Sequence, residues 1–436
     1  MFATGFFATR TFFKKPRGEN LCQMAKMKSA TRTDGTVTQV SLHQFYWPWI
    51  DEEVIREKHI AQEVFDNCEI VLLTQGELDA YQATLASIHD CVKTVSKRGF
   101  DDSFRWHKST NYNDSFLLGQ GFQMLTKSTL VAIDGGARRY EIVFLYWRDP
   151  SIDGSDMKLL CDYVYKYLDN RSNKRPCGDS LVTARGDKTM SGKMDVFGSW
   201  DAYGQASAGL GKGVQEVRIY NPRGRIDPFL NVVVTRHVNT LTEAEKALTP
   251  SCAALRAELA SWLDPRCNHR MSPECDAFAM TTSVNYITDP HDDSGVNGVL
   301  EFIQFVNATG PLPPGHKWLF VIAGFLCELP TVLGEATIIA LPARGVYHGT
   351  LPTSDTTATY QHGNYGSALI TKEPICKGLH RQLMRGKATP PKYRSSFTYF
   401  EGNAERAEFT CEFCYEFEGS EEEVKAHEAI CVHAPV

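Results

Sequence analysis

The chain has 436 residues, 42% of them hydrophobic, and a formal net charge of −6. That length and composition can bury a large core, which excludes a disordered or fibrous protein and fits one large decorated domain with a small appendage. No apolar run approaches the length of a membrane span. The 13 cysteines, with no secretory signal ahead of them, point to a reducing compartment in which they act as thiols or metal ligands.

In chain order, residues 1–34 mix Phe, Thr and basic side chains with no acid before Glu19, and read as a basic arm or an organelle transit segment. From Val37 the pattern is mixed. Residues 51–67 and 75–96 are predicted helices, the second carrying Leu78, Tyr81, Leu85 and Ile88 at helical spacing. Strand-like runs follow at 129–133 and 140–146, with further helices predicted over 155–168 and 251–263. These helices are expected to cover the outer face of a sheet. The glycine-rich stretch 204–213 has no phosphate-loop register and reads as a flexible loop.

The most informative feature comes next. The run Val284, Asn285, Tyr286, Ile287 breaks at Asp289-Pro290 and delivers His291 and Asp293 two residues apart. A second apolar run, 336–341, turns through Pro342 and Gly345 into His348-Gly349. Alternate residues of an extended chain point to the same side, so His291 and Asp293 face one way and Asp292 the other. His-x-Asp with a distant His is the ligand set of a facial triad on non-haem Fe(II), which leaves coordination positions open for a cosubstrate and O2. His-x-Asp alone is a weak signal, because Asp-Pro-His-Asp-Asp-Ser-Gly is also good loop chemistry. Context strengthens it. Both motifs end β-type runs, and between them lie short, turn-punctuated apolar runs at 299–306, 318–326 and 337–341, as in an antiparallel sandwich or barrel. His362 is a second candidate for the third ligand, ranked below His348 because it sits in a polar stretch.

FAMTTSVNYITDPHDD, a long β insert and then YHGTLPTS resemble the TET/base-J family of DNA-modifying oxygenases, over about residues 278–372. The resemblance implies an α+β fold with a double-stranded β-helix (jelly roll) core braced by helices. It also implies oxidation of the methyl group of a 5-methylpyrimidine, usually 5-methylcytosine, in DNA, with iron held by His291, Asp293 and His348. Most such enzymes use 2-oxoglutarate, whose distal carboxylate pairs with a buried Arg. Here no Arg occurs between His348 and Lys372, and the expected place falls near Tyr365, Gly366 or Ser367. Arg344 or Lys372 could replace it. Alternatively the cosubstrate is L-ascorbate, as in an algal branch that transfers a glyceryl unit to 5-methylcytosine, held by polar groups such as Tyr365 and Ser367. Asn285 shares strand parity with the two proximal ligands and faces the pocket if no bulge intervenes.

At the C-terminus, Cys411, Cys414, His427 and Cys431 have the spacing of a CCHC zinc finger. Cys267, His269 and Cys275 form a less regular cluster. Residues 401–436 carry ten Glu against Arg406 and Lys425, a net −8, so a protein contact fits the finger better than phosphate. Residues 1–33 and 372–394 are each +6. DNA would therefore be met through local patches such as Lys377, Arg381, Arg385, Lys387, Lys392 and Arg394. The expected organisation is a basic arm over 1–34, a dioxygenase domain over 35–400 and a zinc-finger-like module over 405–436. The expected location is the nucleus, or a chloroplast or mitochondrion if the arm is a transit peptide, with no membrane partner.

Overall fold

The computed structural model describes residues 26–50, 52, 55–97, 113–136, 138–149, 156–160, 193–201, 214–217, 228–261, 272, 274–277, 279–284, 288–292, 300–307, 312, 314–315, 317–342, 345–352, 364–370, 409–410 and 418–419. The chain is a mixed α+β protein built mostly of sheet. In order it forms β1 (Met27–Arg32), β2 (Val37–Ser41), β3 (Phe45–Tyr46), α1 (Gln62–Asn67), β4 (Glu69–Leu73), α2 (Gln75–Lys97), α3 (Asp114–Gly119), β5 (Gln123–Leu125), β6 (Thr129–Asp134) and β7 (Tyr140–Asp149). Then come β8 (Lys193–Asp201), β9 (Val214–Val217), α4 (Pro228–Leu248), α5 (Pro250–Ser261), β10 (Ala279–Val284), β11 (Thr288–His291), β12 (Leu300–Asn307), β13 (Trp318–Ile322) and β14 (Phe325–Glu328). The last are β15 (Ala336–Pro342), β16 (His348–Pro352), β17 (Asn364–Ile370), β18 (Phe409–Thr410) and β19 (Glu418–Gly419).

Strands β10 to β17 alternate between two sheets except at the β13–β14 hairpin, which stays in one. The order β15-β12-β17-β10 lies at the centre of a 12-stranded sheet, extended on one side by β7, β6, β4, β1 and β2 and on the other by β8 and β9. The order β11-β16-β13-β14 forms a second sheet, closed at one edge by β5. All pairings among these eight strands are antiparallel. Inward residues of the two sheets, including Ile303, Phe305, Phe320, Ile339 and Ala368, make one apolar core. The other face of the large sheet is covered by α1, α4 and α5, through Phe65, Val234, Leu241 and Cys252 among others. The back of the small sheet is covered by α2 and α3, with Leu85, Ile88 and Leu117 on Leu319, Val321 and Leu351. The result is four layers, because each sheet face must be buried against something. No helix among the described residues is long and apolar enough to cross a membrane.

Several predicted elements coincide with observed ones, notably α2, α5, β6, β7, β12 and β15. One expectation needs correction, and two further strands or helices fall where none was foreseen. Residues 52 and 55–61 are not helical, and among the described residues only α1 remains of the helix predicted over 51–67. That segment instead wraps the fully buried Trp47, whose backbone N–H donates to His59 Nδ1 (3.1 Å) and whose indole N–H donates to His59 O (3.0 Å). The 21-residue helix α4 was not expected, since Val232, Val233 and Val234 imitate a strand. Finally, the arm expected over 1–34 overlaps the sheet, as β1 pairs with both β2 and β4.

Candidate metal centre

Strand β16 starts at His348, which is the cross-strand partner of His291 at the end of β11. The imidazole centroids are 4.7 Å apart, with the rings tilted by 49°. Two nitrogen ligands at right angles on one metal, with bonds of about 2 Å, lie about 3 Å apart, and rings this close can meet that spacing. His348 is buried (4% exposed) and Phe320 stacks on it, with centroids 5.8 Å apart and planes inclined by 20°. His348 Nδ1 lies 3.0 Å from the carbonyl oxygen of Val346. A carbonyl can only accept, so Nδ1 carries the proton of the neutral ring and the Nε2 lone pair is left as the donor to a metal.

A bulge makes the pairing possible. Thr288 is opposite Thr350 and His291 opposite His348, so β11 has an extra residue between the two register points. Thr350 N–H donates to Thr288 Oγ1 at 3.0 Å, which pins the strand just before the bulge.

Asp293, Asn285, Arg344, Lys372 and His362 lie outside the described residues, as do Cys411, Cys414, His427 and Cys431. Among the described residues, no group of three His, Cys, Asp or Glu side chains could hold a metal ion. Two of the three expected iron ligands are therefore seen together. Near the finger motif, β18 and β19 pair antiparallel on either side of Cys411 and Cys414. Cys275 is packed in the core under the large sheet, and burial pushes its thiol up to about 11.

Ser367 and Tyr365 do not sit where a cosubstrate pocket would need them. On β17, Ala368 and Ile370 face the core between the sheets, whereas Leu369 faces the helical layer. Ser367 shares the parity of Leu369, and its Oγ lies 2.7 Å from Nε2 of His237 on α4. Tyr365 has the same parity. The inward position between them is Gly366. A Cβ there would lie 2.7 Å from Ser283 Oγ and 3.1 Å from Phe305 Cε1, so no longer side chain fits. Among the described residues of β17, no cation faces the sandwich.

One residue of the site escaped the sequence reading. Gln82 of α2 accepts a hydrogen bond from the backbone N–H of Tyr347 at 2.6 Å. The available signal was a polar residue between Leu78 and Leu85, on the helix face that is otherwise apolar.

No protein-family model matches the chain, and no curated protein matches its sequence. Among solved structures, the chain is similar to an oxygenase candidate from Shewanella oneidensis at 10% identity, over 56% of this chain and 91% of that one, with a TM-score of 0.28. A likeness that distant carries no argument about the site or its chemistry.

Proposed function

We propose that this chain is a non-haem Fe(II) dioxygenase with a jelly-roll core, acting on the methyl group of 5-methylcytosine in DNA with L-ascorbate as cosubstrate. The observation that carries the reading is the pairing of His291 with His348 between β11 and β16 of the smaller sheet, with Asp293 two residues on in the sequence. Strands β10 to β17, alternating between the sheets except at the β13–β14 hairpin, support the double-stranded β-helix that this ligand set commonly occupies.

The donor types fit Fe(II): two imidazoles, His291 and His348, paired across β11 and β16, and the carboxylate of Asp293 two residues on in the sequence. Iron held there would supply O2 activation and hydrogen abstraction from the methyl group. The protein's own share is orientation and dryness. The Val346 carbonyl sets the His348 ring, and Phe320 with the surrounding apolar core limits the access of water to it. Gly366 supports ascorbate over 2-oxoglutarate, because the inward position of β17 nearest the expected anchor holds no cation. A 5-methyl group within duplex DNA has to be brought to the iron by flipping the nucleotide out. Lys377, Arg381, Arg385, Lys387, Lys392 and Arg394 are the proposed phosphate contacts. Cys411, Cys414, His427 and Cys431 are the proposed zinc ligands of an acidic module that meets a protein partner, and the nucleus is the proposed location.

The test is a product assay. Purified protein is incubated with Fe(II) and 5-methylcytosine DNA, with ascorbate alone or 2-oxoglutarate alone, and the digested nucleosides are analysed by mass spectrometry. A glyceryl adduct with ascorbate alone, abolished by His291→Ala and by His348→Ala, is the expected result. Hydroxymethylcytosine requiring 2-oxoglutarate would overturn the cosubstrate assignment and point to Arg344 or Lys372 as anchor. No product in either tube would overturn the DNA substrate.

A further inference from the structure

The hydrogen bond from Tyr347 N–H to Gln82 and the one from His348 to Val346 meet in a single peptide group. The peptide joining Val346 to Tyr347 donates through its N–H to Gln82 Oε1 at 2.6 Å and accepts through its C=O from His348 Nδ1 at 3.0 Å. We infer that Gln82 is a positioning residue for His348, acting through this one peptide plane. The functional consequence rests on the reading of His348 as an iron ligand.

Geometry and chemistry both favour this role. A backbone N–H can only donate, so the amide of Gln82 must present its oxygen to Tyr347. That leaves Gln82 Nε2 buried and, among the described residues, without a hydrogen-bond partner. An orphaned buried donor is costly, so the orientation is kept at the expense of the amide's other end. The peptide plane is thereby fixed from one side by a helix that cannot easily move. Helix α2 is seated on the back of the small sheet by Leu85 and Ile88, and the Tyr81 ring packs edge-on against Phe122 at 5.1 Å. Hydrogen bonds in series through a peptide polarise one another, so the Gln82 oxygen also strengthens the Val346 carbonyl as an acceptor. Without Gln82 the peptide can rotate. The Nδ1 bond then weakens, and the Nε2 lone pair is no longer held toward His291.

The imidazole tautomer reads this out directly, in metal-free protein. Nitrogen-15 shifts of the His348 ring are measured in the wild type, in Gln82→Met, which keeps length but removes the acceptor, and in Gln82→Glu, which keeps it. The expected result is an Nδ1-protonated ring in the wild type and Gln82→Glu, and a mixture of tautomers in Gln82→Met. Fe(II) affinity should fall about tenfold in Gln82→Met, as for other residues that orient a metal ligand from outside the coordination shell. An unchanged tautomer in Gln82→Met would overturn the inference, and so would equal disturbance in both variants, which would indicate simple repacking of α2. If the wild type bound no Fe(II), the iron reading would fall while the tautomer result still decided the role of Gln82.

Discussion

His237 shows what burial does to a single side chain in this protein. It is 1% exposed between α4 and the large sheet, its Nε2 lies 2.7 Å from Ser367 Oγ, and burial lowers its pKa to about 4. In the unfolded chain the same ring titrates near 6.5. Between those values the unfolded state binds the extra proton, so stability is complete above about pH 6.5 and is lost as pH falls toward 4. The full difference is about 3 kcal/mol. Unfolding midpoints measured from pH 7 to 4.5 should therefore fall less steeply for His237→Leu than for the wild type. Parallel profiles would show that His237 is not the titrating group. A second buried interaction lies in the same layer. Arg256 Nε donates to both carboxylate oxygens of Glu245, at 2.8 and 2.9 Å, and its guanidinium also donates to the Leu369 carbonyl at 3.1 Å. Arg256→Met strands a buried carboxylate and should cost about 3–5 kcal/mol, while adding Glu245→Leu should recover most of it. Chemical denaturation of the single and double variants checks both figures.

At the scale of elements, the hairpin between β13 and β14 is the tightest piece of the small sheet. Ala323 and Gly324 both have positive φ, 48° and 88°. A Cβ on Gly324 would lie 2.4 Å from the Tyr81 ring. Gly324→Ala should therefore cost at least about 2 kcal/mol, from backbone strain and from displacement of α2 together. A thermal midpoint within a degree of the wild type would contradict the close approach of α2 to this turn. The hairpin is also where a sequence pattern misleads, since the apolar run over 318–326 conceals two strands and the turn between them. Strand β17 misleads for a related reason. All seven of its residues are buried, so alternation between apolar and polar positions cannot reveal which face is which. The face of Ser367 is set by register with β10 and β12, where it is paired with Thr282 and Gln304. No local pattern encodes that pairing. Helix α4 was hidden by its valines, and α2 was legible because its apolar spacing spans several turns.

Over the whole molecule, the nearness of His291 and His348 was legible only in part: His291 ends β11, as the run before it suggests, whereas His348 opens β16 instead of closing the run of β15. The support behind them was not legible. Gln82 and Tyr347 are 265 positions apart, and only the packing of α2 behind the small sheet brings them together. The bulge in β11 was equally invisible, although it sets which residues before His291 share its face. Charge is distributed in the same spirit. A chain of net −6 has its positive segments at 1–33 and 372–394; the proposed DNA substrate predicts binding that falls steeply with salt and with charge reversal at Lys377, Arg381 and Arg385, and binding indifferent to both would contradict that proposal. The most direct test of the iron assignment is an anaerobic Fe(II) titration of the wild type beside His291→Ala and His348→Ala. One equivalent bound by the wild type and lost in both variants is the expected result. Binding of equal strength and stoichiometry in all three would contradict it.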